Sequence, residues 1–135
     1  MKKWFARFVL FSGLYDIILA VVFLFASPLV SLLLNYPISI LSGALLQIIG
    51  AFLLAFGIAL ISASRTLEQY LIIPIANIPA RIIAFIVLAY YVLLGLPPAL
   101  LLLATVDGLI GIVLILFIIA IPDYSFRSAF KTSST

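Results

Sequence analysis

Apolar residues run along this chain in four long blocks, at positions 8–26, 41–62, 78–96 and 99–121. Each block is near the ~20 residues with which a helix crosses ~30 Å of hydrocarbon. Polar and helix-breaking residues fall between them. Pro28, Asn35 and Pro37 interrupt the chain after the first block, and Ser64, Arg65, Thr66, Glu68 and Gln69 form a polar connection after the second. Gly95, Pro97 and Pro98 make a tight turn before the fourth, and Pro122 and Asp123 close it. The pattern predicts one all-α domain, an integral membrane bundle of four transmembrane helices with sequential helices as antiparallel neighbours. Two segments depart from plain spans. Positions 28–35 are apolar but too short to cross, which predicts a short helix at the outer interface. Positions 71–77, broken by Pro74, are expected to lie along the inner interface, with Asn77 capping the third span and Pro79 in its first turn.

Small residues mark the faces that pack. In the second span Gly43, Gly50, Gly57 and Ser64 recur every seven residues, and Ala51, Ala55, Ala59 and Ala63 every four. At 100° per residue the two rows fall on different sides of the helix, and the bulky strip Ile49, Leu53, Phe56 and Leu60 between them is expected to face lipid. Small residues mark close helix contacts in membranes, so the second span should have neighbours on two sides, within the bundle or in another copy of the chain. Gly108 and Gly111 play the same packing role in the fourth span.

Composition agrees with this pattern and removes several function classes. The 135 residues are 67% hydrophobic and only 8% charged, against about 25% charged in soluble domains. Lipid must therefore be the main solvent. There is no cysteine and no histidine, which removes disulfides, thiolate metal sites and the usual transition-metal ligand. No metal and no cofactor is expected. No Gly-rich phosphate loop and no nucleophile–base pair appears, so no enzyme reading has residues to rest on.

The formal charge of +3 reflects membrane orientation rather than nucleic-acid binding. Lys2, Lys3 and Arg7 precede the first span, Arg65 lies between the second and third, and Arg127 and Lys131 follow the fourth. The connections 27–40 and 95–98 carry no Lys or Arg. Both termini, including a tail at 122–135, are therefore expected on the cytoplasmic side of the plasma membrane. Trp4, Tyr70 and Tyr124 suit an inner aromatic belt and Tyr36 an outer one. The start MKKWFAR resembles a signal peptide's basic region, but the apolar stretch behind it is too long, contains Asp16 and ends without a small-x-small site, which predicts a retained helix.

Three charges remain inside the apolar blocks: Asp16, Arg81 and Asp107. A charge in hydrocarbon costs at least ~2.5–3.5 kcal/mol unless it finds a partner or water. Each sits on the small or polar face of its helix: Ser12, Gly13, Asp16 and Ala20; Asn77, Arg81, Ala84 and Leu88; Ala104, Asp107, Gly108 and Gly111. By helical rise, Asp16 lies roughly 13 Å above the inner boundary and Asp107 roughly 16 Å. Arg81 starts only ~5 Å above it, but its long side chain reaches upward. All three heads can meet near mid-membrane, with a formal charge of −1 that one proton would neutralise. Ser12, Tyr15, Gln47, Asn77, Tyr91 and Thr105 are candidate polar partners.

The basic start MKKWFARF, the acid within SGLYDIILA, the glycine-rich GALLQIIGAFLLAFG and the acid within TVDGLIG together give a layout that resembles the DoxX-like small four-helix membrane proteins. The second span lacks a glutamate that would complete that likeness. The resemblance implies a partner-subunit role, since some members are accessory subunits of membrane oxidoreductases. Small multidrug exporters also have four short helices and an acid in the first span. Here that acid is an aspartate opposed by Arg81, which would compete with a cationic substrate. Two functional readings follow. One is a non-enzymatic scaffold or accessory subunit, partnered by lipid and by other membrane subunits or itself, in which a buried salt bridge sets bundle geometry. The other is a small proton- or cation-coupled permease using Asp16 and Asp107.

Overall fold

The computed structural model describes residues 1–121 apart from 26, 36 and 38, and all its regular structure is helical. The expected tail at 122–135, with Tyr124, Arg127 and Lys131, and the belt residue Tyr36 lie outside the described residues. Four helices are long and apolar enough to cross a membrane. They are α1 (Lys2–Phe25), α3 (Ile40–Arg65), α5 (Ile72–Leu93) and α6 (Ala99–Ala120); the short α2 (Ser27–Leu34) and α4 (Leu67–Tyr70) lie in the connections.

Local chemistry explains most of the boundaries. Ser39 caps α3, its Oγ accepting from the Ser42 backbone N–H at 3.2 Å. Asn35, at φ 47°, follows α2 in the left-handed region that Asn tolerates. Past the end of α5, Gly95 takes φ 108°. Its N–H reaches the Val92 carbonyl at 3.1 Å and that of Leu96 reaches Tyr91 at 3.0 Å. This is a Schellman turn at a position that favours glycine. Pro97 and Pro98 then stop the chain from continuing the helix, and α6 begins at Ala99.

The third span departs from expectation at its start. Asn77 does not cap it, because the helix already begins at Ile72 and runs through both prolines. Pro74 falls in the first turn, where no intrahelical donor is needed. Pro79 is interior and removes one backbone bond, a loss that membrane helices tolerate where neighbours surround the backbone. Asn77 is therefore free to serve as a side-chain partner one turn from Arg81.

The helices associate as two close pairs, α1 with α3 and α5 with α6, joined to each other by fewer contacts. The first seam is a backbone approach. A Cβ built on Gly13 would lie 2.8 Å from the Gly57 carbonyl oxygen, and one on Gly57 would lie 2.8 Å from that of Gly13. Gly50 lies against Ala20, Phe23 and Leu24 farther along. In the second seam Gly108 faces the Phe85 ring and Gly111 faces Arg81 and Ile82.

The pairs meet over an apolar core at the end of the bundle where α1 begins. Phe5, Val9, Leu60, Leu67, Leu71, Ile75, Ile78, Ile110, Leu114 and Ile118 pack there, and the Phe5 and Phe117 rings are 5.4 Å apart. Leu60, expected on a lipid-facing strip, is fully buried in this core. The strip assumed one environment along the whole of α3, whereas its last turns are covered by α4 and the start of α5. Toward the other end Phe52, Ile86, Tyr90 and Leu93 are exposed and the pairs separate.

Candidate functional site

Just beyond that core, where the two pairs begin to part, the three intramembrane charges meet. Arg81 is only 4% exposed, and its guanidinium is held from three helices. Nη2 donates to Asp16 Oδ1 at 2.6 Å and to Ser12 Oγ at 2.9 Å, both on α1. Nη1 donates to Asp107 Oδ1 on α6 at 2.5 Å. Nε donates to Asn77 Oδ1 at 2.6 Å, within α5 itself. Four N–H groups are thereby engaged, all but one of those a guanidinium carries. The Tyr15 ring lies 5.8 Å from Cζ, within cation–π range.

The sequence builds this geometry by simple periodicity. Ser12 and Asp16 are one turn apart on α1, and Asn77 and Arg81 one turn apart on α5, so each pair shares a face. Gly111 sets α6 beside the Arg81 stem, where a Cβ would stand in ordinary contact with Arg81 Cβ at 3.6 Å. Arginine suits the position because its planar fork can address several acceptors at once, which a lysine ammonium cannot do in the same geometry.

The other candidate partners lie elsewhere. Thr105 donates back to its own Leu101 carbonyl at 2.7 Å, a local bond that draws threonines away from tertiary partners. Tyr91 is exposed and stacks edge-on with Tyr90 at 5.6 Å. Gln47 is exposed on α3. Tyr15 is close, yet among the described residues its hydroxyl is the buried side-chain polar atom with no hydrogen-bond partner.

A cavity of about 210 Å³ ends on the charges. Asp16, Asn77, Arg81 and Asp107 form its floor; Ile49, Phe52, Leu53 and Phe56 of α3 and Ala80 and Ala84 of α5 form its walls. The wall residues are mid-helix and several are exposed, so the mouth faces the flank of the bundle between α3 and α5. The side chain of Asp107 is 17% exposed against 2% for Asp16, which makes Asp107 the acid the cavity reaches more fully. Neither the cavity nor its α3 wall is apparent from the sequence, where Ile49, Leu53 and Phe56 read as lipid-facing. The small pair Ala80 and Ala84, one turn apart and beside Arg81, is the sequence signal for it.

Chemically the floor carries two carboxylates against one guanidinium, a formal charge of −1 inside apolar walls. Among the described residues no group of three or more His, Cys, Asp or Glu side chains is placed to hold a metal ion. No family model matches the chain, and no curated protein or solved structure is significantly similar to it.

Proposed function

We propose that this protein is a non-enzymatic accessory or scaffold subunit of the plasma membrane, in which Arg81 clamps two helical hairpins together. The observation that carries the reading is the reach of one guanidinium across α1, α5 and α6, at the place where the hairpins otherwise part. Both termini face the cytoplasm in this proposal, and α2 rests at the outer interface. The layout shared with DoxX-like proteins supports an accessory role beside other membrane subunits. Intramembrane polar pairs contribute only about 0.6 kcal/mol on average. The benefit of such a clamp is therefore a fixed register rather than bulk stability.

Breaking one side of the clamp must then cost more than removing it whole. In the Arg81→Gln variant two buried carboxylates lose their counter-charge, and unfolding in mild detergent should fall by about 3–5 kcal/mol. The triple variant Asp16→Asn, Arg81→Gln, Asp107→Asn has no charge left to strand and should keep most of the stability. A single variant as stable as the triple one would remove the clamp reading.

A second reading, a proton- or cation-coupled permease using Asp16 and Asp107, is favoured by the cavity that reaches both acids. Proton flux in reconstituted vesicles that neither Asp16→Asn nor Asp107→Asn alters would eliminate it.

A further inference from the structure

We infer that the flank cavity between α3 and α5 is a binding site for a small lipophilic monocation, a protonated amine carrying a short apolar body. Three features of the cavity lead to this ligand class. Its walls, Ile49, Phe52, Leu53, Phe56, Ala80 and Ala84, offer no hydrogen-bonding side chain and suit an alkyl or aryl group. Its floor holds one carboxylate more than it has cations, so a monocation balances the excess in place of a proton, while an anionic head adds to it. Its mouth lies on the flank of helices long and apolar enough to span, so a ligand would enter from the hydrocarbon.

The size of the site narrows the class further. About 210 Å³ is below the ~300–1,000 Å³ of drug-sized pockets, so the ligand is small or leaves a tail in the lipid. The ammonium head is placed at Asp107 rather than Asp16. Asp107 is the more accessible acid, and its carboxylate meets Arg81 only through Oδ1. Asp16 likewise accepts one Arg81 N–H at Oδ1, so accessibility rather than hydrogen bonding separates the two acids. Arg81 engages both acids, yet two carboxylates outnumber it. It fixes the two acids so that one charge is left over. The inference concerns equilibrium binding and does not depend on transport or on the clamp contributing to stability.

The test uses the full chain in lipid nanodiscs and tritiated hexylamine, with empty nanodiscs subtracted to remove partition into lipid. Saturable binding is expected, displaced by unlabelled hexylamine but not by hexanol or hexanoate at the same free concentration. Asp107→Asn should weaken it by at least about tenfold, the loss of one close charge partner. Because that variant also alters the clamp, Ala84→Phe serves as the independent arm. It fills the cavity from its apolar wall and leaves all three charged side chains in the sequence, so it should abolish binding while the thermal unfolding midpoint holds. Absence of saturable binding overturns the inference, as does displacement by hexanol equal to that by hexylamine. Binding that survives Ala84→Phe in a folded protein overturns it too. The clamp reading is judged separately, by the stability of the Arg81 variants.

Discussion

Around the guanidinium, individual residues contribute in opposite directions. Asn77, itself buried, supplies the acceptor for Nε at 2.6 Å. Replacing it with leucine strands a buried donor on a charged group and should cost about 1–3 kcal/mol in detergent unfolding. Tyr15 is the reverse case. Its hydroxyl is buried without a partner, while its ring stands 5.8 Å from the Arg81 carbon. Tyr15→Phe removes the unpaired group and keeps the ring, so the same measurement should find it neutral or more stable. A loss of more than about 1 kcal/mol would mean that the hydroxyl has a partner in the membrane, such as an ordered water. The charged residues themselves were legible from the sequence, because a charge in an apolar block has few alternatives to burial against another. Their polar neighbours were only half legible. Ser12 and Asn77 stand one turn from a charge on the same face, and helical spacing finds them. Thr105 satisfied its hydroxyl against its own backbone, and Gln47 and Tyr91 face outward, which composition alone does not reveal.

At the scale of helices, the glycines divide by what stands opposite them. Gly13 and Gly57 face each other's carbonyl oxygens, and backbone cannot move aside as a side-chain tip can. Alanine gains about 1 kcal/mol of helix propensity over glycine, but overpacking against backbone costs about 1–3 kcal/mol. Gly13→Ala and Gly57→Ala should therefore destabilise the α1–α3 pair, while Gly111→Ala, with its nearest neighbours at 3.6 Å, should be neutral or slightly stabilising. Denaturation in detergent separates these outcomes, and equal effects at all three positions would refute the seam as described. Gly50 and Gly57 of the seven-residue row in α3 announced this seam in the sequence. The boundary of α5 was not legible in the same way. Proline read as a stop, yet Pro74 falls where a helix has no donor to lose, and Pro79 sits in a helix that neighbours support. The alanine row of α3 points only partly inward, with Ala63 buried and Ala51 and Ala55 exposed, because α3 meets α5 over a short stretch near one end.

The whole molecule is two hairpins joined at one end by an apolar core and just beyond it by a charge clamp, and that asymmetry bears on how it sits in a membrane. The joined end holds the start of α1, the α3–α5 connection and the end of α6, and Lys2, Lys3, Arg7 and Arg65 stand at it. On the proposed orientation the apolar core lies in the cytoplasmic half and the cavity opens into hydrocarbon above it. The absence of cysteine makes this directly measurable, since each introduced thiol reports one position. Lys3 and Gln69 are exposed at the joined end, and Leu94, 63% exposed, stands at the opposite one. In intact cells an impermeant maleimide should label Leu94→Cys and spare Lys3→Cys and Gln69→Cys, and permeabilisation should expose all three. The mirror pattern would invert the protein and place the core in the outer half. Labelling of Lys3→Cys without Gln69→Cys would put the two ends of the joined face on opposite sides, which four crossings do not allow, and would overturn the four-span reading itself.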